Sequence, residues 1–185
     1  MKRAALITAI ALSLAGCGGG HQSRQSTLSS TAPTTTTAAT VSTSPAEQTT
    51  TEQVDATLRT AVRAALAANH TLAIRVLWTN RIPSTARDST RGPALAELTA
   101  SAKNREEKGI RVRMIHDTYR VIWIHLGRTR THPTALAEWD QRVVPSHLNG
   151  TPRGGAVSLR ERARIELRPA DAATSFVVWR VTLVK

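Results

Sequence analysis

Cysteine is almost missing from this chain. Its 185 residues hold one thiol, Cys17, so no intramolecular disulfide can form. Aromatic residues are few, with one Tyr, one Phe and four Trp. Histidines are scattered, and none has the HxH or HExxH spacing of a metal site. GxSxG, the phosphate-cradling Walker loop and GxGxxG are all missing, which removes the common sequence signatures of hydrolases, nucleotidases and dinucleotide enzymes. Gly154-Gly155 after Arg153 reads as an ordinary turn. No apolar run reaches the roughly 20 residues needed to span a bilayer as a helix. Acidic side chains are in deficit, 13 against 25 Lys and Arg, for a formal net charge of +12.

What is present begins at the N-terminus. Lys2 and Arg3 precede an uncharged apolar run, Ala4 to Leu14, and small residues then lead to Cys17. That order is a secretory signal. Leu14-Ala15-Gly16-Cys17 resembles the lipobox of bacterial lipoproteins. The resemblance implies that residues 1–16 are removed and that Cys17 is diacylated as the first residue of a protein anchored on the outer face of the plasma membrane. The alternative is an incidental cysteine at an ordinary cleavage site. Residues 18–51 are dominated by Thr, Ser, Ala and Gly, as in Thr34-Thr35-Thr36-Thr37. Such a stretch buries too little apolar surface to offset its ordering entropy. It is expected to be a disordered tether with an r.m.s. reach of roughly 30 Å.

Residues 52–185 are the size of one domain. Val54, Leu58, Ala61, Val62, Ala65 and Leu66 share a helical face. Phase is kept through Leu72, Ala73, Val76 and Leu77, which favours one long helix to about Trp78 over a break at Asn69-His70-Thr71. A loop from Thr79 to Gly92 leads to a second helix, opened by Pro93 and stopped by Gly109, with Lys103, Arg105 and Lys108 suiting its C-terminal dipole. Period-two alternation then predicts five strands: Ile110–Met114; Tyr119–Leu126 after a His116-Asp117-Thr118 turn; Thr134–Val144, with Ala135, Ala137, Trp139, Gln141 and Val143 on one side; Val157–Arg168; and Phe176–Val184. Helices followed by meandering strands define an α+β domain with an antiparallel sheet covered on one face.

This order resembles the nuclear-transport-factor-2-like fold, a curved antiparallel sheet wrapped around N-terminal helices. Thr90-Arg91-Gly92-Pro93-Ala94-Leu95, Gly109-Ile110-Arg111-Val112-Arg113, Leu159-Arg160-Glu161-Arg162-Ala163 and Phe176-Val177-Val178-Trp179-Arg180-Val181 resemble segments of uncharacterised actinobacterial secreted lipoproteins. The fold hosts enzymes, binding modules and assembly domains, so it carries no activity by itself.

Two function classes follow. The first is a binding or assembly module at the cell envelope. Loss of Lys2 and Arg3 with the leader would leave +10 of the +12, all of it on the domain. Arg160, Arg162, Arg164 and Arg168 share one strand face, and Arg111 with Arg113 another. Glu138, Asp140 and Glu166 are available as cross-strand partners. An anionic membrane, a cell-wall polymer or an acidic envelope protein would suit such a surface. Nucleic acid does not fit an exported protein whose aromatics are not interleaved with its arginines. The bland alternative is a solvated charged face. The second class is a small-ligand carrier or enzyme using the cone interior. By alternation Tyr119, Val121, Trp123 and His125 share a face, and Tyr119, Trp123 and His125 form the candidate pocket, with His116 and Asp117 nearby. The bland reading puts His125 at an exposed strand end. No acidic residue is assigned to the cone, and no catalytic residue, metal ligand or cofactor is named. Trp78, Trp123, Trp179 and Trp139 read as core. A lined cavity holding His125 or Tyr119 would favour the second class. A filled cone with a flat basic face would favour the first.

Overall fold

The computed structural model describes residues 45–171 and 174–184. The leader, Cys17 and most of the expected tether lie outside the described residues. Helix α1 (Pro45–Thr79) starts ahead of the boundary expected at Glu52 and runs unbroken past Asn69-His70-Thr71. From Thr51 to Thr57 it is largely exposed, and burial begins around Leu58 and becomes complete at Val62 and Leu66. The loop after it contains a short 3-10 turn at Ser84–Asp88. Helix α2 (Gly92–Glu107) has Pro93 in its first turn and ends before Gly109, which takes φ +66°.

Four strands follow in a simple antiparallel meander: β1 (Ile110–His125), β2 (Thr134–His147), β3 (Val157–Pro169) and β4 (Phe176–Val184). Both helices pack on one face, giving the α+β architecture that the sequence predicts. The strand count is four because His116-Asp117-Thr118 is not a turn. β1 continues through it by a β-bulge between Met114 and His116, and a second bulge lies between Val121 and Trp123. A bulge inserts one unpaired residue and lets the strand bend without ending.

The inward residues change size along the sheet. Val121, Ala137, Ala163 and Leu183 form one cross-strand row, and Ala135, Ala137 and Ala163 are fully buried. These small side chains let Val62 and Leu66 of α1 press close to the sheet in the main core. Further along α1, Leu72 and Val76 join Ala86 and Ala102 in a second cluster, and Leu77 joins Val112 and Val143 in a third. The apolar interior is therefore divided into three clusters.

Two segments far apart in the chain, around Thr90–Gly92 and Val178–Trp179, meet each other. Thr90 is fully buried and bridges Val178, Arg91 N–H donates to the Val178 carbonyl at 2.9 Å, and Gly92 lies under Trp179. At Gly92, φ is +56° and an added Cβ would meet the indole at 2.7 Å, so this position requires glycine. Arg105 lies in the last turn of α2, as the sequence predicts, and has a second role there. It is buried and donates to Asn80 Oδ1, Ser101 Oγ and the Val76 carbonyl, and burial lowers its pKa to about 10. Asn80 in turn donates to the Ile110 carbonyl at 2.6 Å, clamping the end of α1 to the start of β1.

Candidate functional site

Between the three clusters lies a cavity of about 410 Å³. Its walls are built by spacing. His70, Ala73, Ile74 and Leu77 lie three or four residues apart on α1, and Ala94, Glu97, Leu98 and Ser101 do the same on α2, so each set shares a helical face. The floor is the inner face of the sheet where its side chains turn polar. Tyr119, Trp139 and Glu161 form one cross-strand row, and Asp117, Gln141 and Leu159 form the next.

The polar groups are connected. His70 Nε2 contacts Asp117 Oδ2 at 2.7 Å. A carboxylate only accepts, so Nε2 is the donor in this contact. Gln141 Nε2 donates to Asp117 Oδ1 at 2.9 Å, holding the carboxylate from its other side. The His70 ring stacks on Tyr119, with centroids 4.2 Å apart and planes 16° from parallel. Burial pushes the Tyr119 phenol up to about 12, which keeps it a neutral donor. Trp139 Nε1 donates to Glu161 Oε2 at 3.1 Å. Burial also raises the Glu97 carboxyl above its ordinary value, opposed by the charge of Arg180. Asn69 is tied down by donating to Thr90 Oγ1 at 2.7 Å. The lining side chains include no Lys or Arg among the described residues, in a chain otherwise rich in both. Among those residues no group of three or more His, Cys, Asp or Glu is placed to hold a metal ion.

Of the expected pocket, Tyr119 is present and Trp123 and His125 are not. The cause is the second bulge. Val121 faces inward, Ile122 is the unpaired residue, and Trp123 then points outward at 37% exposure while Ile124 is buried. His125 is accordingly exposed at the strand end, and His116 is exposed beside the first bulge. Trp78 is likewise at the surface, at 38% exposure, rather than in the core. Asp117, read from sequence as part of a turn, is inward and central. Glu161 and Glu97 line a cone to which no acidic residue had been assigned. Glu161 was legible, since it occupies the same strand phase as Leu159 and Ala163. His70 lies between Leu66 and Ile74 at helical spacing, and its phase pointed inward as well.

The opposite face of the sheet is basic. Arg160, Arg162 and Arg164 of β3 are exposed, as are Arg113 and Arg168. Arg111 departs from this set: it is half-buried with its guanidinium 5.7 Å over Trp78, and its Nε has no hydrogen-bond partner among the described residues. Arg168 stacks over Trp179 at 4.8 Å. Glu138 lies under three arginines, accepting from Arg120 at 3.2 Å, Arg160 at 3.2 Å and Arg162 at 2.6 Å.

Fold and cavity together define a sheet-and-helix half-cone with a lined, mixed-polarity interior. No protein-family model and no curated protein matches the sequence. Among solved structures, the crystal structure of the intermembrane space region of the chloroplast protein ARC6 is similar, with a TM-score of 0.57, 11% identity, and coverage of 69% of this chain and 95% of that one. A likeness at this identity shows the fold alone. Among the described residues no helix is long and apolar enough to cross a membrane.

Proposed function

We propose that this is an envelope-anchored module whose domain takes a small, largely apolar molecule with one hydrogen-bonding end into the half-cone. The observation that carries this reading is the cavity of about 410 Å³, apolar over most of its wall, with His70, Tyr119 and Glu161 gathered on one side. Pockets of this size with few convergent polar groups are the usual form of small-molecule sites. Anchoring through Cys17 remains part of the proposal and rests on the lipobox resemblance. The cavity contains Tyr119, which moves the balance from the basic-face module to the ligand-binding alternative.

Binding of an uncharged fluorescent hydrophobe, N-phenyl-1-naphthylamine, tests the reading. Wild type should enhance its emission saturably. Ala73→Phe, which adds a ring inside the cavity, should weaken binding at least tenfold, while unfolding stability stays within about 1 kcal/mol. Equal binding by a folded Ala73→Phe protein would reject the cavity as the site.

One observation favours a second reading, acid–base catalysis in the same cavity. Asp117, fixed by Gln141, orients His70 as an orienting acid does for a general base. Under that reading a cavity ligand would be converted by wild type and bound unchanged by His70→Gln, which mass spectrometry of the recovered ligand distinguishes.

A further inference from the structure

The face of the sheet opposite α1 and α2 combines two features that neither the cavity nor the core requires. The first is the pair of bulges in β1. Their unpaired residues are both isoleucine, Ile115 and Ile122, and both are exposed, at 47% and 41%. The core does not need them. Without Ile115, Met114 and Asp117 would still face inward with His116 outward. Without Ile122, Val121 and Ile124 would still face inward with Trp123 outward. The bulges therefore add apolar surface outside while leaving the inward set unchanged, and Trp123 stands beside the second of them.

The second feature is the arrangement of charge. Trp123, Leu136 and Arg164 form one outward cross-strand row; Arg120, Glu138 and Arg162 form the next; Thr118, Asp140 and Arg160 the one after. Arg113 and Arg142 extend the cationic surface. Glu138 is covered, with 9% side-chain exposure, whereas the three arginines above it are 67%, 69% and 55% exposed. The carboxylate gathers the guanidinium groups beneath the surface, and the cations are uppermost. Each guanidinium has five N–H donors and directs one hydrogen bond at Glu138, so donors remain for phosphate oxygens.

We propose that this face docks on an anionic phospholipid bilayer, with guanidinium groups on the headgroup phosphates and Ile115, Ile122 and Trp123 at the headgroup–acyl boundary. Charge complementarity selects an anionic partner. The exposed isoleucines and indole select a bilayer over a soluble polyanion, because a polyanion offers nothing apolar to meet them, whereas the membrane interface accommodates amphipathic aromatic and aliphatic groups. This inference is independent of the cavity and its ligand.

The test uses the unlipidated chain from Gly18 onward, which keeps every described residue, and co-sedimentation with vesicles. Wild type should bind phosphatidylglycerol-containing vesicles, release them in high salt, and ignore pure phosphatidylcholine. Arg113→Gln/Arg142→Gln/Arg164→Gln leaves the partners of Glu138 in place. It should lower partitioning about fivefold per charge, on the order of a hundredfold in all. Ile115→Thr/Ile122→Thr keeps β-branched residues in the strand and every arginine. It should lower vesicle binding about tenfold without changing binding to inorganic polyphosphate in solution. Both variants should unfold at the wild-type urea midpoint. No binding of phosphatidylglycerol vesicles by wild type would overturn the proposal. So would vesicle binding by the isoleucine variant equal to wild type, which would make the face a polyanion site instead.

Discussion

Glu138 shows how one side chain sets the chemistry of a surface. Hydrogen bonds from Arg162 and Arg160 hold its carboxyl down to about 2, well below its ordinary 4.5. A carboxyl that is more acidic in the folded chain than in the unfolded one stabilises the fold when ionised. That contribution is complete above the unfolded value and is lost as pH falls from about 4.5 towards about 2. Wild type should therefore lose urea resistance across this window. Glu138→Gln should start lower near neutral pH, because three arginines lose their carboxylate, and should show a shallower acid limb. Urea midpoints at about pH 6 and about pH 3 would check this, and parallel pH profiles for the two proteins would show that the arginine cage is not coupled to folding. Asn80 has the matching structural role indoors. With φ +53° it ends α1, and its side chain joins Arg105 to the Ile110 carbonyl, so the helix pair and the first strand share one buried polar junction.

At the scale of the element, β1 decides what the domain presents on each side. Its two bulges turn a simple alternation into three inward runs, Ile110–Val112–Met114, Asp117–Tyr119–Val121 and Ile124. Deleting Ile122 restores a plain alternation and keeps every inward residue inward. Deleting Thr118 does the reverse: residues on its two sides fall out of phase, so either Asp117 and Met114 or Tyr119, Val121 and Ile124 must face solvent. The Ile122 deletion is expected to fold cooperatively with a loss of about 1 kcal/mol or less. The Thr118 deletion should fail to give a native near-ultraviolet spectrum. Equal behaviour of the two deletions would show that strand phase does not control this sheet. In α1, the polar triplet Asn69-His70-Thr71 is no break in the helix. Asn69 reaches Thr90, His70 reaches Asp117, and Thr71 bonds its own preceding turn at Ala67, so the polarity marks the site and not a boundary.

Across the whole molecule, the cavity exists because close contact at one end of the sheet gives way to bulk at the other. Ala135, Ala137 and Ala163 admit α1, and the larger Tyr119, Trp139 and Gln141 then hold the helices off beyond them. Filling the close end should therefore disturb the core more than the cavity tolerates at its own wall. Ala137→Leu adds three carbons at a fully buried position against Val62 and Leu66, and should destabilise by about 1–3 kcal/mol. Urea unfolding would measure this, and a neutral effect would mean that the alanines do not set the helix–sheet distance.

Local pattern by itself determined much of this protein. Helical spacing with no Pro or Gly between Leu58 and Leu77 favoured a long α1 over a break at Asn69-His70-Thr71. Pro93 and Gly109 bounded α2, and alternation put Ala135, Ala137, Trp139, Gln141 and Val143 on one side of β2 and Arg160, Arg162 and Arg164 on the outer side of β3, because burying three unpartnered guanidinium groups is too costly. Tertiary structure alone decided the rest. A bulge costs one residue of register and leaves no mark in composition, so Asp117 read as a turn and Trp123 and His125 as pocket residues. The pairing of His70 with Asp117 joins positions far apart in the chain, which no local period reports. The burial of Glu138 depends on arginines from two neighbouring strands closing over it. Periodicity shows which way a side chain faces while the strand stays regular; only the folded sheet shows where that regularity stops, and the site and the outer face both lie at those interruptions.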